Sequence, residues 1–200
     1  MEIFGNIWTI VECSAFLFVI FVFFKDPLRR WNFFGYRPTA VMVLFNPEQE
    51  KVLLIRTRSI WAFSQGGIYD KNINNTVHEI LHRELGLQES KYRLINTEPL
   101  GTLRWKGNNP LARARLDTIS MFSKLRGKGY LACYIQMDLE DIESVVQLGE
   151  SVKEVKAVAI NDAIKQLNDI PKDRFDPGKA QINVQIVEEV KQLIKRSAND

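Results

Sequence analysis

Cysteine is scarce in this chain, with two among 200 residues, Cys13 and Cys133. Two thiols cannot build the disulfide framework of a small secreted scaffold. Cys13 falls in an apolar run and Cys133 in an expected strand, so both read as reduced, small hydrophobes that suit a reducing compartment. Internal repeats and low-complexity linkers are also missing. Charged residues at 26% and hydrophobic residues at 46% exclude a wholly disordered, a collagen-like or a polytopic membrane chain. Acidic residues nearly vanish from residues 101–130, where Asp117 stands alone against seven basic side chains. The formal net charge of +3 therefore conceals one basic block, a distribution that points to an anionic ligand more than to general solubility.

What is present suffices for one domain with an appendage, and a body of this size buries a core without staples. Residues 3–24 (IFGNIWTIVECSAFLFVIFVFF) contain a single charge, Glu12. As a helix this run would be about 33 Å long against a hydrocarbon layer of about 30 Å. Met1-Glu2 offers no basic start and no small-residue cleavage site follows, so a secretory signal is disfavoured. Lys25, Arg29, Arg30 and Arg37 all follow the run. This asymmetry predicts a membrane anchor, single-pass or monotopic, with the C-terminal domain cytoplasmic. Trp31, Phe33, Phe34 and Tyr36 are placed to lie at the interface. The expected division is residues 1–35 as the hydrophobic segment and 36–200 as the body.

In the body, Thr39–Asn46 reads as a buried strand ended by Asn46-Pro47, and Lys51–Arg56 as its hairpin partner. Trp61–Phe63 is a short apolar piece, and Gly66-Gly67 reads as a turn. The spacing of Val77, Ile80, Leu81, Glu84 and Leu85 predicts a helix over Thr76–Leu87, with Thr76 and Glu79 as a capping box and Gly86 as its stop. Arg93–Ile95, Leu100–Trp105, Tyr130–Met137 and Val155–Ile160 read as strands. Helices are expected from Asn161 to Leu167 and from Asn183 to Lys195, the latter with Val184, Ile186, Val187, Val190 and Ile194 on its apolar side. The economical fold class is α/β.

The stretch WAFSQGGIYDKNINNTVHEILHRELGL, Trp61–Leu87, resembles the centre of the Nudix hydrolase family, whose box reads G-x5-E-x7-R-E-U-x-E-E-x-G-U. A preceding hairpin, the Trp-x-x-x-Gln-Gly-Gly lead-in, a Leu-Gly-x-x-Arg-Trp-like strand and a strand opening on Lys-Gly-Tyr agree with it. The layout is similar to the RNA pyrophosphohydrolase and dinucleoside-polyphosphate branch, over roughly Tyr36 to Lys195. The resemblance implies a Nudix-type α/β/α sandwich with a mixed β-sheet, here preceded by an N-terminal hydrophobic helix.

The box itself departs from the pattern. Anchored on Gly66, its loop glutamate falls on Asn72. Anchored on Gly86-Leu87, its arginine falls on Glu79 and its helix glutamates on Ile80, Arg83 and Glu84. Hydrolysis of a pyrophosphate bond at such a site needs divalent ions, and magnesium and manganese want several carboxylate oxygens. Glu79 and Glu84, five apart, diverge by about 140° around a helix. Arg83 sets a cation where a ligand would stand. The candidate catalytic residues are thus Glu84 and Glu79, with Glu84 the candidate metal ligand and Mg or Mn the cofactor if the protein is active. His78 and His82 have the spacing of a zinc pair, though a structural role is favoured.

The candidate ligand-binding residues are Arg104, Lys106, Arg113, Arg115, Lys124, Arg126 and Lys128 from the basic block, with Tyr69, Gly66 and Gly67 beside the box. Arginine and lysine suit phosphates, and Tyr69, Trp105 or Tyr130 can stack on a base. Together these features point to a membrane-anchored Nudix-fold protein that binds a nucleotide, another phosphate-rich small molecule or a protein partner without efficient hydrolysis. An atypical metal-dependent pyrophosphohydrolase of nucleoside polyphosphates and a structural subunit of a membrane assembly stay open as alternatives, and a protein partner or a homo-oligomer is a further possible association. A nucleic-acid partner is disfavoured, because only one short region is strongly basic and no recognition motif accompanies it.

Overall fold

The computed structural model describes residue 14 and residues 25–57, 60–70, 72–104, 127–170 and 176–197. The expected membrane segment at residues 3–24, apart from Ser14, lies outside the described residues, as do residues 105–126 of the basic block. Among the described residues no helix is long and apolar enough to cross a membrane. Residues 25–37, 104 and 127–128 fall in one compact unit; the remaining described residues of the body form the other.

In the first unit, helix α1 (Pro27–Phe33) starts at Asp26, whose carboxylate accepts from the Leu28 and Arg29 amides. Proline suits this first helical position, where its missing N–H is no loss. Trp31 is buried, 3% exposed, which corrects its expected place at a membrane interface.

The second unit is built on a sheet whose main strand order is β3-β2-β1-β6-β5, with β4 pairing β1 and β7 pairing β2. The strands are β1 (Tyr36–Asn46), β2 (Lys51–Thr57), β3 (Ile60–Ala62), β4 (Ser64–Gly67), β5 (Tyr92–Arg104), β6 (Gly127–Met137) and β7 (Glu154–Ala159), of which residues 36–37, 104 and 127–128 are counted in the first unit. The fold is mixed α/β with a mixed sheet. Helices α2 (Ile73–Leu85), α3 (Ile142–Val145), α4 (Ile160–Asn168) and α5 (Pro177–Ser197) complete it. The β1–β2 hairpin is the expected one. Asn46 turns it, its side-chain oxygen accepting from the Glu48 and Gln49 amides, a local bond that asparagine forms readily.

Strand alternation distributes the core. Val41, Val43 and Phe45 of β1 join Tyr130, Ala132 and Tyr134 of β6 in a cluster with α4 and α5. The intervening Ala40, Met42 and Leu44 are equally buried and face the other way, toward the side occupied by α2.

Several boundaries differ from the sequence reading. Gly66 and Gly67 are not a turn; they extend β4 and pair with Ala40 and Thr39. Helix α2 begins at Ile73, and Asn72 caps it by accepting from the Asn74 amide, so Thr76 and Glu79 form no capping box. Gly86 ends it as expected, in the left-handed region at φ 64°. The two short strands after it are one, β5, carried through Gly101 at φ 123°; Trp105 lies outside the described residues. Helix α5 starts six residues earlier than Asn183, at Pro177, and buries Ile182 and Leu193, whereas Val184 is exposed.

Candidate functional site

Helix α2 and strand β4 bring the box residues together. Gly66 is where the two elements approach most closely. A Cβ there would lie 2.6 Å from Ile80 Cδ1, 2.7 Å from Ile80 Cγ1 and 3.3 Å from Arg83 Nη2. Glycine is thus required for space, and the two helix side chains that fill it are Ile80 and Arg83. Both occupy positions that the Nudix box gives to carboxylates.

The remaining carboxylate, Glu84, is 8% exposed. Its Oε2 accepts from the buried Ser64 hydroxyl at 2.5 Å, and its Oε1 lies 3.6 Å from Arg83 Nη2. Arg83 Nη1 in turn lies 3.6 Å from Glu79 Oε1. Glu79 is solvent-facing, so the two glutamates do not converge on a common point; the guanidinium stands between them.

This arrangement does not fit a magnesium or manganese site. Hard divalent ions want several oxygens around one centre. Here one buried carboxylate is engaged by a hydroxyl and a guanidinium, an isoleucine fills the neighbouring space, and a fixed positive charge repels a cation. Among the described residues no three His, Cys, Asp or Glu side chains converge as a metal site requires. The two histidines stack ring on ring, with centroids 6.0 Å apart, and His78 Nδ1 lies 3.2 Å from the Tyr92 hydroxyl.

Ser64 was not singled out by sequence, and it holds Glu84 in place. Ser64→Ala is expected to lower stability by about 2 kcal/mol, because it leaves a buried carboxylate oxygen without its donor. Urea midpoints at unchanged slope would measure this; a midpoint equal to the parent's would mean that solvent already reaches Glu84.

Tyr69 is 79% exposed, just after β4. Arg104, at the end of β5 in the first unit, donates from Nε to the Tyr36 hydroxyl at 3.1 Å, and this bond holds its pKa above the ordinary value. Lys128 lies on β6. Lys106, Arg113, Arg115, Lys124 and Arg126 lie outside the described residues.

No family model and no curated protein matches the chain. Solved structures do. A C. elegans Ap4A hydrolase in a binary complex aligns at a TM-score of 0.51 and 13% identity, over 78% of this chain and 98% of that one. The NUDIX domain of Shewanella oneidensis NrtR, complexed with ADP ribose, aligns at 0.50 and 18% identity, over 80% and 88%. The Nudix hydrolase RenU from M. Smegmatis aligns at 0.50 and 13% identity, over 80% and 87%. At these identities the likeness establishes the fold: the chain has the Nudix fold.

Proposed function

We propose that this Nudix-fold protein binds a nucleotide or another phosphate-rich small molecule without efficient hydrolysis. The observation that carries the reading is Arg83, lodged against Gly66 and paired with both Glu79 and Glu84. A resident guanidinium neutralises those carboxylates internally and opposes a divalent ion. Loss of metal chemistry does not entail loss of the cleft. The basic block at residues 101–130 supplies phosphate-binding side chains, and two neighbours of the same fold were crystallised as complexes, one of them with ADP ribose. In this reading residues 1–35 attach the protein to a membrane through residues 3–24 and the domain 36–200 lies on the cytoplasmic side. Mg or Mn would matter only to residual turnover through Glu84.

The test takes the purified full chain, a panel of nucleoside polyphosphates and Mg, Mn or no metal, and reads thermal shift and product release together. Vesicle flotation of the same preparation reads membrane attachment. The expected result is a saturable shift that needs no metal, turnover at background, and flotation with the vesicles. Metal-dependent turnover that disappears in Glu84→Gln would overturn the hydrolytic part of the reading. The absence of any shift would overturn the ligand part. A chain that stays in the aqueous fraction would overturn the anchor.

A further inference from the structure

Helix α1 carries a surface that nucleotide binding does not use. Trp31 is 3% exposed and fixes which side of the helix turns inward. At about 100° per residue, Arg29 and Phe33 fall about 160° from Trp31, and Arg30 about 100° from it. The Arg29 side chain is 59% exposed, and Arg30 and the preceding Lys25 are exposed as well. Phe34 is 37% exposed, and its ring meets that of Phe33 edge-on with centroids 5.2 Å apart.

The charge of this segment is of one sign. Lys25, Arg29, Arg30 and Arg37 face one acidic residue, Asp26, within residues 25–37. Asp26 caps α1 and lies 3.3 Å from Arg29, but an ion pair exposed at both ends is worth little and leaves the surface positive. The chemistry of an occupant follows. An outward helix face is convex, so it suits a flat array of anions better than one small phosphate compound. Exposed phenyl rings beside guanidiniums suit a lipid boundary, where rings enter the apolar edge and basic groups meet headgroups. Pro27 follows Phe24, the end of the apolar run, by three residues, at most about 11 Å of extended chain. Helix α1 therefore starts within about a Debye length of any surface that holds residues 3–24.

We propose that the Arg29–Arg30 face of α1, with Lys25 and the Phe33–Phe34 pair, docks on anionic lipid headgroups. The inference rests on the membrane reading of residues 1–35 and deepens it by naming the lipid class. Guanidiniums take headgroup phosphate and carboxylate oxygens two at a time. Trp31 takes no part in the contact; its burial keeps the basic face outward.

The experiment floats the full chain on vesicles of phosphatidylcholine alone and of phosphatidylcholine with phosphatidylserine. Spin-labelled lipids then read which headgroup the bound protein prefers. Arg29→Gln/Arg30→Gln removes the proposed contacts, and Lys153→Gln/Lys195→Gln removes the same charge from exposed positions elsewhere. An exposed basic side chain at an anionic surface is worth about five-fold in association. The parent and the second variant are expected to favour phosphatidylserine about five-fold or more, and the first variant less than about two-fold. The preference should fade in molar salt, where the Debye length is about 3 Å. Flotation on anionic vesicles only, lost in Arg29→Gln/Arg30→Gln, would remove the apolar anchor of the parent reading and leave this face as the attachment. Flotation on both kinds with no headgroup preference would keep the anchor and overturn this inference alone. A preference untouched by Arg29→Gln/Arg30→Gln would place the contact elsewhere, and an equal loss in both variants would assign it to net charge; either overturns the inference. Flotation on neither would overturn both readings.

Discussion

Gly149→Ala is expected to destabilise the protein by about 3 kcal/mol or more, at the upper end for inserting a methyl group into packed surroundings. A Cβ at Gly149 would lie 2.2 Å from the Arg83 carbonyl oxygen and 3.2 Å from Glu84 Cα. These are backbone atoms and cannot rotate aside. The loop would have to withdraw from α2, and with it would go the Gly149 amide bond to the Glu84 carbonyl and the Gln147 amide bond to the Leu85 carbonyl, both 2.9 Å. Those carbonyls belong to the last turn of α2, where no intrahelical donor exists for them. Chemical denaturation at matched slope would give the value. A loss under about 1 kcal/mol, the range of an ordinary exposed glycine change, would show that the loop tolerates the extra atom and does not clamp the helix end.

The second large effect is a loss of stability in alkali. Burial pushes the Cys133 thiol up to about 12 from 9.0. Burial and the charge of Asp176 push the Tyr130 hydroxyl up to about 12 from 10.0. The Tyr134 hydroxyl moves in the same direction, through burial first and then Glu98. Each folded pKa exceeds its unfolded value, so between the two the folded state holds more protons and stability falls as pH rises. The contribution is intact below about pH 9 and is lost progressively toward pH 12. At about pH 11 the thiol alone accounts for roughly 2–3 kcal/mol. Lys179 works the other way. Burial lowers its pKa, so its charging penalty is present at low pH and is relieved as the side chain loses its proton. One lysine does not offset three groups. Unfolding curves at about pH 8 and about pH 11 should therefore differ by several kcal/mol, with a shallower dependence in Cys133→Ala. Equal stability at the two pH values would show that these groups ionise without unfolding the sheet.

Much of the fold was legible because its signals are local. The β-branched, apolar run of β1 and the Asn46-Pro47 break announce a hairpin. Val77, Ile80, Leu81, Glu84 and Leu85 announce one face of α2, and Gly86 its end, and all of these residues sit as expected. The start of α2 was harder to read because its first turn is mostly polar, and the cap is set by Asn72 with Asp70 bonding behind it. Gly66-Gly67 resembles a turn only while the packing of Ile80 against Gly66 is out of view. In β5, Pro99 and Gly101 interrupt the pattern, yet a strand at the sheet edge accommodates them.

The candidate site divides along the same line. Glu84 and Arg83 could be picked out by their place in a motif. Ser64, which secures Glu84 from another strand, could not, because nothing in the sequence near it refers to residue 84. The start of α5 shows the same limit. The sequence reading starts a helix at Asn183, but α5 begins at Pro177, so Asn183 is a buried interior position. A proline at a helix start was the available signal.

Strand β4 has four residues, and its neighbours in space differ from one residue to the next. Ser64 and Gly66 meet α2, while Gln65 meets α5. A change at position 80 or 83 therefore alters what Ser64 and Gly66 meet and leaves Gln65 alone. Heritable variation can thus rework the two faces of the sheet independently, although one short segment serves both. A descendant of such a scaffold can alter what packs on one face while the other stays as it was, and selection can act on each separately.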